Sequence, residues 1–341
     1  MDGRAADRAK IRWGVLGTAR IATAKVIPAM QRGADSQVAA IASRDRAKAE
    51  AAARALGIPR AHGSYDDLLA DSEVDAIYIP LPNHLHVPWT IRAAEAGKHV
   101  LCEKPIGLTA DEAQQLVEVR DRTGVLIQEA FMVRSHPQWV RCRELVRGGA
   151  IGDLRAVVGV FSYHNDDPSN IRNVLDWGGG GLMDIGCYLI HVSRMLFERE
   201  PRRVCASMDH DPRMGIDRLT SLMLEFERGH AIGTCSTQLV PHQRVEVLGT
   251  RGRIEIPIPF NAPPDRPTRI FVDDGSDLGG ASVQTIEFEV CDQYTLQGDR
   301  FSRAILDHGP APYPLEDSIL NMRVIDALVR SAAGAAWTQP G

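Results

Sequence analysis

The sequence predicts an α/β protein of two domains: an N-terminal doubly wound parallel sheet, then an α+β domain built on an antiparallel sheet. Three observations predict it. Short apolar runs alternate with helically spaced segments up to about residue 128, the pattern of successive βαβ units. Beyond residue 150, strand-like runs follow one another with no helix between them, an antiparallel pattern. The length, 341 residues, is about twice that of a typical domain. The expected division is 1–134 and 135–341.

Composition narrows the class. Apolar residues make up 44% and charged residues 24%, close to globular averages and far from disordered or coiled-coil chains. With 39 Lys+Arg against 44 Asp+Glu, the net charge is −5. There is no basic run, so a nucleic acid or anionic membrane has no electrostatic footprint here. No apolar run reaches the roughly eighteen residues of a membrane span. Residues 1–10 are polar, without an apolar leader core or a twin-arginine pair, so a cytoplasmic location is expected. The cysteines (Cys102, Cys142, Cys187, Cys205, Cys235, Cys291) are scattered and read as buried thiols without disulfides. No Cys/His cluster or His-Glu-x-x-His pattern points to a metal, and none is expected.

In chain order, the apolar run 11–16 reads as a strand broken at Gly17, and 21–30 resumes with helical spacing. The turn Gly17-Thr18-Ala19-Arg20-Ile21-Ala22 matches a dinucleotide fingerprint with alanine at its second and third small positions. Gly17 permits the sharp turn, Ala19 the approach of a pyrophosphate, and Ala22 close helix packing. That is the first βα unit of a Rossmann domain, so residues 1–134 are assigned to dinucleotide binding.

A second strand, 37–42, ends at Ser43 and Arg44, about twenty residues on, where the ribose is recognised. A hydroxyl and a guanidinium fork there favour the 2′-phosphate of NADP over NAD, and Lys48 adds a cation if a helix begins near Asp45. Asp45 itself could still touch a ribose. The strand 74–79 runs into Pro82, Asn83 and His86, and the strand 98–102 into Glu103 and Lys104. These are carboxyl ends of strands, where a doubly wound sheet binds ligands.

The second domain, assigned to substrate binding and oligomerisation, shows strand-like runs at 154–163, 204–208, 219–226, 231–237, 244–248, 253–258 and 283–290. Residues 249–252 read as a hairpin turn and 263–280, rich in Pro, Asp and Gly, as a surface excursion. Residues 294–306 and 315–330 have helical spacing, the second ending at Gly334.

Asp184 and Tyr188 are four apart, so in a helix they share a face, and His191 continues it. Their neighbours are apolar, which implies burial. Spacing alone leaves two readings equal: an Asp capping the glycine-rich 178–181 loop beside a core Tyr, or a reactive pair. Arg134, His164, Asn165 and Arg172 supply donors and acceptors suited to a polyhydroxylated substrate. Trp139 and Trp177 could lie against a sugar face, although each reads more simply as core.

Glu103-Lys104-Pro105 directly after a strand, the Gly17 turn, and Gly178-Gly-Gly-Gly181-Leu-Met-Asp184-Ile-Gly-Cys-Tyr188 together resemble the Gfo/Idh/MocA oxidoreductase family. The Asp-x-x-x-Tyr form and Asn170-Ile-Arg172 look most like the branch holding glucose-fructose oxidoreductase, dimeric dihydrodiol dehydrogenase and NADP-dependent xylose dehydrogenase. The resemblance implies a Rossmann domain and a second domain on a large open antiparallel sheet, one face of which joins subunits into a homodimer or homotetramer.

It also implies hydride transfer between a carbinol carbon and nicotinamide. Tyr188 is then the acid/base, Lys104 the ammonium that favours its phenolate, and Asp184 the acceptor that orients substrate, with Lys104 and Tyr188 able to exchange roles. The expected activity is NADP-dependent oxidation of a pyranose hydroxyl, at C1 of an aldose to the lactone. The alternatives are trans-dihydrodiol oxidation, keto-sugar reduction, aldose-aldose oxidoreduction on tightly bound NADP, and a non-catalytic dinucleotide-binding regulator.

Overall fold

The computed structural model describes residues 10–341; apart from Lys10, the polar stretch 1–10 read from the sequence lies outside the described residues. The described chain forms two compact units. One takes the described residues up to Gly107, with Asp111–Met132 and Gln293–Ser318; the other takes Leu108–Ala110, Val133–Asp292 and Ile319–Gly341.

The first unit carries a six-stranded parallel sheet in the order β3-β2-β1-β4-β5-β6. Its strands are β1 (Ile11–Leu16), β2 (Ser36–Ala42), β3 (Arg60–His62), β4 (Ala76–Ile79), β5 (His99–Cys102) and β6 (Ile127–Glu129). The helices α1 (Ile27–Gln31), α2 (Arg46–Leu56), α3 (Tyr65–Leu69), α4 (His86–Glu95) and α5 (Ala110–Thr123) alternate with them. Burial of β4 throughout, and of β1 at every residue but Arg12, is what a sheet covered on both faces requires. The order reverses between β1 and β4, which puts a ligand crevice at their carboxyl ends. β3 escaped the sequence reading because three half-buried residues carry no periodicity.

One long-range feature was not legible. The helix α8 (Gln293–Leu306), far along the chain, packs into the first unit. Phe301 is fully buried beside Trp13, the Trp13 indole donates to Ser302 Oγ at 3.0 Å, and Asp299 accepts the Ala34 and Asp35 N–H groups. Burial of a phenylalanine stabilises by about 2–3 kcal/mol. The 134/135 division assigns this segment to the second domain, whereas the chain returns to the first unit for Gln293–Ser318.

The second unit is built on an eight-stranded open sheet, β14-β13-β12-β11-β7-β10-β9-β8. The strands are β7 (Leu154–His164), β8 (Arg203–His210), β9 (Asp217–Phe226), β10 (Gly229–Ser236), β11 (Gln238–Gly249), β12 (Arg253–Ile256), β13 (Thr268–Asp273) and β14 (Gln284–Phe288). It is antiparallel apart from one parallel pairing, β7 with β10. A long connection through α7 (Cys187–Phe197) makes that pairing possible.

The surface excursion expected at 263–280 contains β13, whose Ile270 is fully buried; its Pro- and Asp-rich flanks obscured the strand. The helices α6 (Pro137–Arg147) and α9 (Leu315–Gly334) complete the elements. α7 lies close on the sheet because β7 and β10 carry glycines beneath it. A Cβ at Gly159 would stand 2.6 Å, and one at Gly233 3.0 Å, from the Leu189 methyls. Cys102, Cys142, Cys187 and Cys235 are buried as expected, but Cys205 and Cys291 are partly exposed. Cys205 lies in β8, an edge strand of the eight-stranded sheet, and Cys291 in the segment between β14 and α8.

Candidate active site

In the first unit, the chain leaves β1 through Gly17, whose φ of +96° suits glycine. Its N–H donates to Ala42 O at 2.8 Å. A Cβ there would press on Leu81 Cδ2 at 3.2 Å and the Tyr65 hydroxyl at 3.4 Å. Thr18 and Ala19 follow, and Arg20 and Ile21 open a helix that passes through a π turn, Ala22–Val26, into α1. The first intrahelical bond runs from Thr23 N–H to Ala19 O at 3.0 Å. The N–H groups of Arg20, Ile21 and Ala22 therefore lack intrahelical acceptors and make up the positive end of the helix. Small side chains and outward N–H groups fit a pyrophosphate.

At the end of β2, Ser43 is buried and its hydroxyl accepts the Asp45 N–H at 3.2 Å. The Asp45 carboxylate caps α2, accepting from Ala47 N–H at 3.0 Å and Lys48 N–H at 3.3 Å. Both bonds fall on Oδ1, which holds the carboxylate at the start of α2. Arg44 and Lys48 are exposed, and the Arg44 guanidinium bonds the Tyr65 hydroxyl, whose pKa burial raises. This is a cationic rim suited to a phosphate.

At the end of β4, Pro82 and Asn83 are half-buried. His86, expected to touch a cofactor, is buried with Nδ1 at 2.7 Å from Pro105 O and Nε2 at 2.8 Å from Leu81 O. Its ring ties the loop after β4 to the loop after β5 and has no edge left for a ligand. The Glu103 carboxylate accepts from Tyr78 OH at 2.7 Å and from Lys104 N–H at 3.3 Å. Lys104 stands half-buried just after β5.

In the second unit, a loop of glycines, 178–181, leads into a π turn, Leu182–Gly186, that continues as α7. Asp184 lies inside the π turn and Tyr188 just after it. Four residues apart at about 3.6 residues per turn, the two stay near one helix face. Asp184 is 13% exposed at its side chain. Its Oδ2 accepts the Tyr163 hydroxyl at 2.5 Å and its Oδ1 the Arg172 Nε at 3.1 Å. Burial, and next the Asp184 charge, hold the Tyr163 phenol well above its ordinary pKa, so it stays a donor.

Tyr188 is 5% exposed, its ring centroid 5.8 Å from Phe161 and 5.3 Å from Phe260. His191, one turn further, is buried. Asn165 organises its own loop, accepting Asp167 N–H at 3.2 Å and an amide proton of Asn173. His164 is exposed, 3.8 Å from Asp166. Arg134 is half-buried in the short turn before α6. Trp139 is core, its indole donating to Pro259 O at 2.7 Å, while Trp177 is exposed.

Arg172 and Asp184 are thus brought together directly, and Tyr188 follows on the same helix. Tyr163 was missed as a site residue. The signal was weak: a tyrosine at the end of a strand, beside the polar residues His164 and Asn165. Among the described residues no group of His, Cys, Asp and Glu is arranged to hold a metal ion, and no helix is long and apolar enough to cross a membrane.

Comparison with known proteins decides the family. A family model described as "Oxidoreductase family, NAD-binding Rossmann fold" matches residues 11–131, and a GFO/IDH/MocA C-terminal domain model matches 139–255. The chain belongs to the Gfo/Idh/MocA family. It is therefore an NAD(P)-binding oxidoreductase of that family.

Among Gfo/Idh/MocA relatives, it is 51% identical to an uncharacterized oxidoreductase of Rhizobium meliloti, over 96% of this chain and 98% of that protein. It is 41% identical to the D-xylose 1-dehydrogenase (NADP(+)) 2 of Haloferax volcanii, over 95% of this chain and 98% of that protein. A 3-ketoreductase from Actinomadura kijaniata, solved with NADP and TDP-benzene, superposes with a TM-score of 0.88 at 28% identity, covering 94% of this chain and 98% of that one.

Proposed function

We propose that the chain is an NADP(H)-linked sugar oxidoreductase that interconverts a carbinol and a carbonyl, reducing a keto-sugar. The observation that carries this reading is the Asp184 carboxylate, held by Tyr163 and Arg172, on the same helix as the buried Tyr188. One helix then presents a fixed hydroxyl acceptor and a proton-exchanging phenol. In the reduction, Tyr188 donates the proton that the developing alkoxide takes up. Lys104 supplies the positive charge that favours phenolate afterwards and stabilises the alkoxide before. Asp184 accepts from a neighbouring substrate hydroxyl, and Arg134, His164, Asn165 and Arg172 surround the sugar with donors and acceptors.

When bound, the nicotinamide supplies or accepts the hydride. Gly17, Thr18, Ala19, Arg20 and Ile21 would hold its pyrophosphate; Ser43, Arg44 and Lys48 its 2′-phosphate; Pro82, Asn83 and Glu103 its remaining edges. The exposed cations Arg44 and Lys48 at the end of β2 support NADP over NAD. Residues 1–134 are proposed to bind the dinucleotide and 135–341 the substrate.

The solved ketoreductase supports the reducing direction. The single lysine and single tyrosine replaced in its solved variants stand as far apart in its sequence as Lys104 and Tyr188 do here. A second reading, oxidation of an aldose at C1, is favoured by the D-xylose dehydrogenase relative, which matches nearly the whole chain. We also propose a homo-oligomer formed through the outer face of the eight-stranded sheet, where paired Val158 and Ile232 are exposed.

The test follows nicotinamide absorbance in both directions, with NADPH and keto-sugars and with NADP and aldoses, alongside Lys104→Ala and Tyr188→Phe. Reduction lost in both variants supports the first reading, and oxidation of aldoses alone supports the second. Tight NADP binding without turnover of any sugar would overturn both in favour of a regulator.

A further inference from the structure

Asp217 opens β9 and is only 9% exposed. Its Oδ2 accepts the Leu182 N–H at 2.7 Å and the Thr220 hydroxyl at 2.7 Å. Leu182 is the first residue of the π turn that carries Asp184, so a carboxylate on the sheet caps the helix that bears Asp184 and Tyr188. Its other oxygen faces the glycine loop. A Cβ at Gly180 would lie 2.0 Å from Asp217 Oδ1, and Gly180 has a φ of +121°, so the loop has closed onto the carboxylate in a way only glycine permits.

Two further ties complete the frame. The Gly180 N–H donates to Arg172 O at 2.9 Å, and the Asp184 N–H to Gly180 O at 3.0 Å. The backbone of Arg172 thus holds the loop whose far end its guanidinium grips at Asp184. Leu182 is buried, so its N–H has no water to turn to if Asp217 is removed.

We propose that Asp217 is a positioning residue of this enzyme: through the Leu182 N–H it fixes the π turn, and with it the placement of Asp184 and Tyr188. The proposal rests on the oxidoreductase reading. Asp217 touches neither residue's reacting atoms and acts only through the backbone between them. Negative charge at a helix start adds to the tie, since it meets the positive end of the peptide dipoles.

Asp217→Asn is the decisive variant, because it keeps the shape but gives Leu182 and Thr220 a neutral acceptor. It is expected to lower kcat about fivefold to tenfold with KM for NADP(H) unchanged, and to raise the primary isotope effect with a deuterated hydride donor, as the chemical step slows. Asp217→Ala, lacking any acceptor, is expected to lose more. Amide exchange at 182–188, read by mass spectrometry, is expected to accelerate in Asp217→Asn.

Thr220→Val removes the other donor to the same carboxylate and leaves the Leu182 tie, so its kcat is expected to stay within about threefold of the parent. Unchanged kcat and unchanged exchange in Asp217→Asn overturn the proposal, as does an equal loss in Thr220→Val. Silence of the parent protein with every sugar overturns the functional reading instead, and the exchange rates then judge the tie by themselves.

Discussion

In the first unit, the π turn Ala22–Val26 follows Gly17, whose N–H is fastened to Ala42 O, a backbone carbonyl. In the second, the π turn Leu182–Gly186 follows a glycine loop fastened by a side chain, the Asp217 carboxylate. The two helix starts share a widened turn after glycine, but what they display differs. The first, lined by small residues, offers backbone N–H groups to an anion. The second carries side chains, Asp184 inside the turn and Tyr188 after it, which we propose meet the substrate. Backbone donors suit a cofactor whose phosphates are the same in every turnover, whereas chemistry on a carbinol requires side chains that exchange protons.

The sharpest way to break this comparison is to remove the proposed proton carrier from the second region. Tyr188→Phe is expected to lower kcat about a thousandfold while leaving NADPH affinity, measured by nicotinamide fluorescence, unchanged. Retained activity would deny the second region its chemistry. Asp184→Asn, which neutralises the group held by Tyr163 and Arg172, is expected to lower kcat/KM for the sugar about tenfold to a hundredfold, with the cofactor KM unaffected.

In the first region, Arg44→Ala is expected to raise the KM for NADP about tenfold and leave that for NAD alone, a split that initial rates with both cofactors reveal. Equal effects on both cofactors would remove the 2′-phosphate from that rim.

The smallest effect concerns two buried histidines. Burial pushes the imidazoles of His86 and His136 both down to about 4. His86 faces two carbonyls, which a protonated ring would satisfy, whereas His136 Nδ1 accepts the Gln138 N–H at the start of α6 at 3.2 Å and must be unprotonated to do so. For His136, from the ordinary 6.5 down to about 4, the unfolded chain binds a proton that the folded chain does not. Its contribution is complete above pH 6.5 and declines as pH falls through that window, by at most about 3 kcal/mol. Urea midpoints between pH 4 and 7 are expected to fall less steeply in His136→Asn than in the parent, and likewise in His86→Asn, whose imidazole is pushed equally low.

Legibility followed the same divide. The Gly17 turn, the strand ends at Ser43 and Lys104, and the Asp184 and Tyr188 spacing all stood within short windows, because a turn, a strand end and a helix face each leave a local pattern. His86 looked like a ligand residue from its place after β4, and only its two carbonyl partners showed otherwise. Tyr163 was invisible as a partner of Asp184, since nothing in its own segment of β7 requires that bond.

The sequence by itself determined the two sheets, their parallel and antiparallel characters, the dinucleotide turn and the family. Hydrophobic period and turn chemistry are written into neighbouring residues. Only the tertiary structure decided that α8 returns to the first unit, that β7 and β10 pair in parallel, that Tyr163 and Arg172 hold Asp184, and that Asp217 fastens the helix before it. Each of these is a match between groups distant along the chain. Such a match depends on burial and hydrogen-bond satisfaction in the folded state, and neither partner carries a mark of it alone.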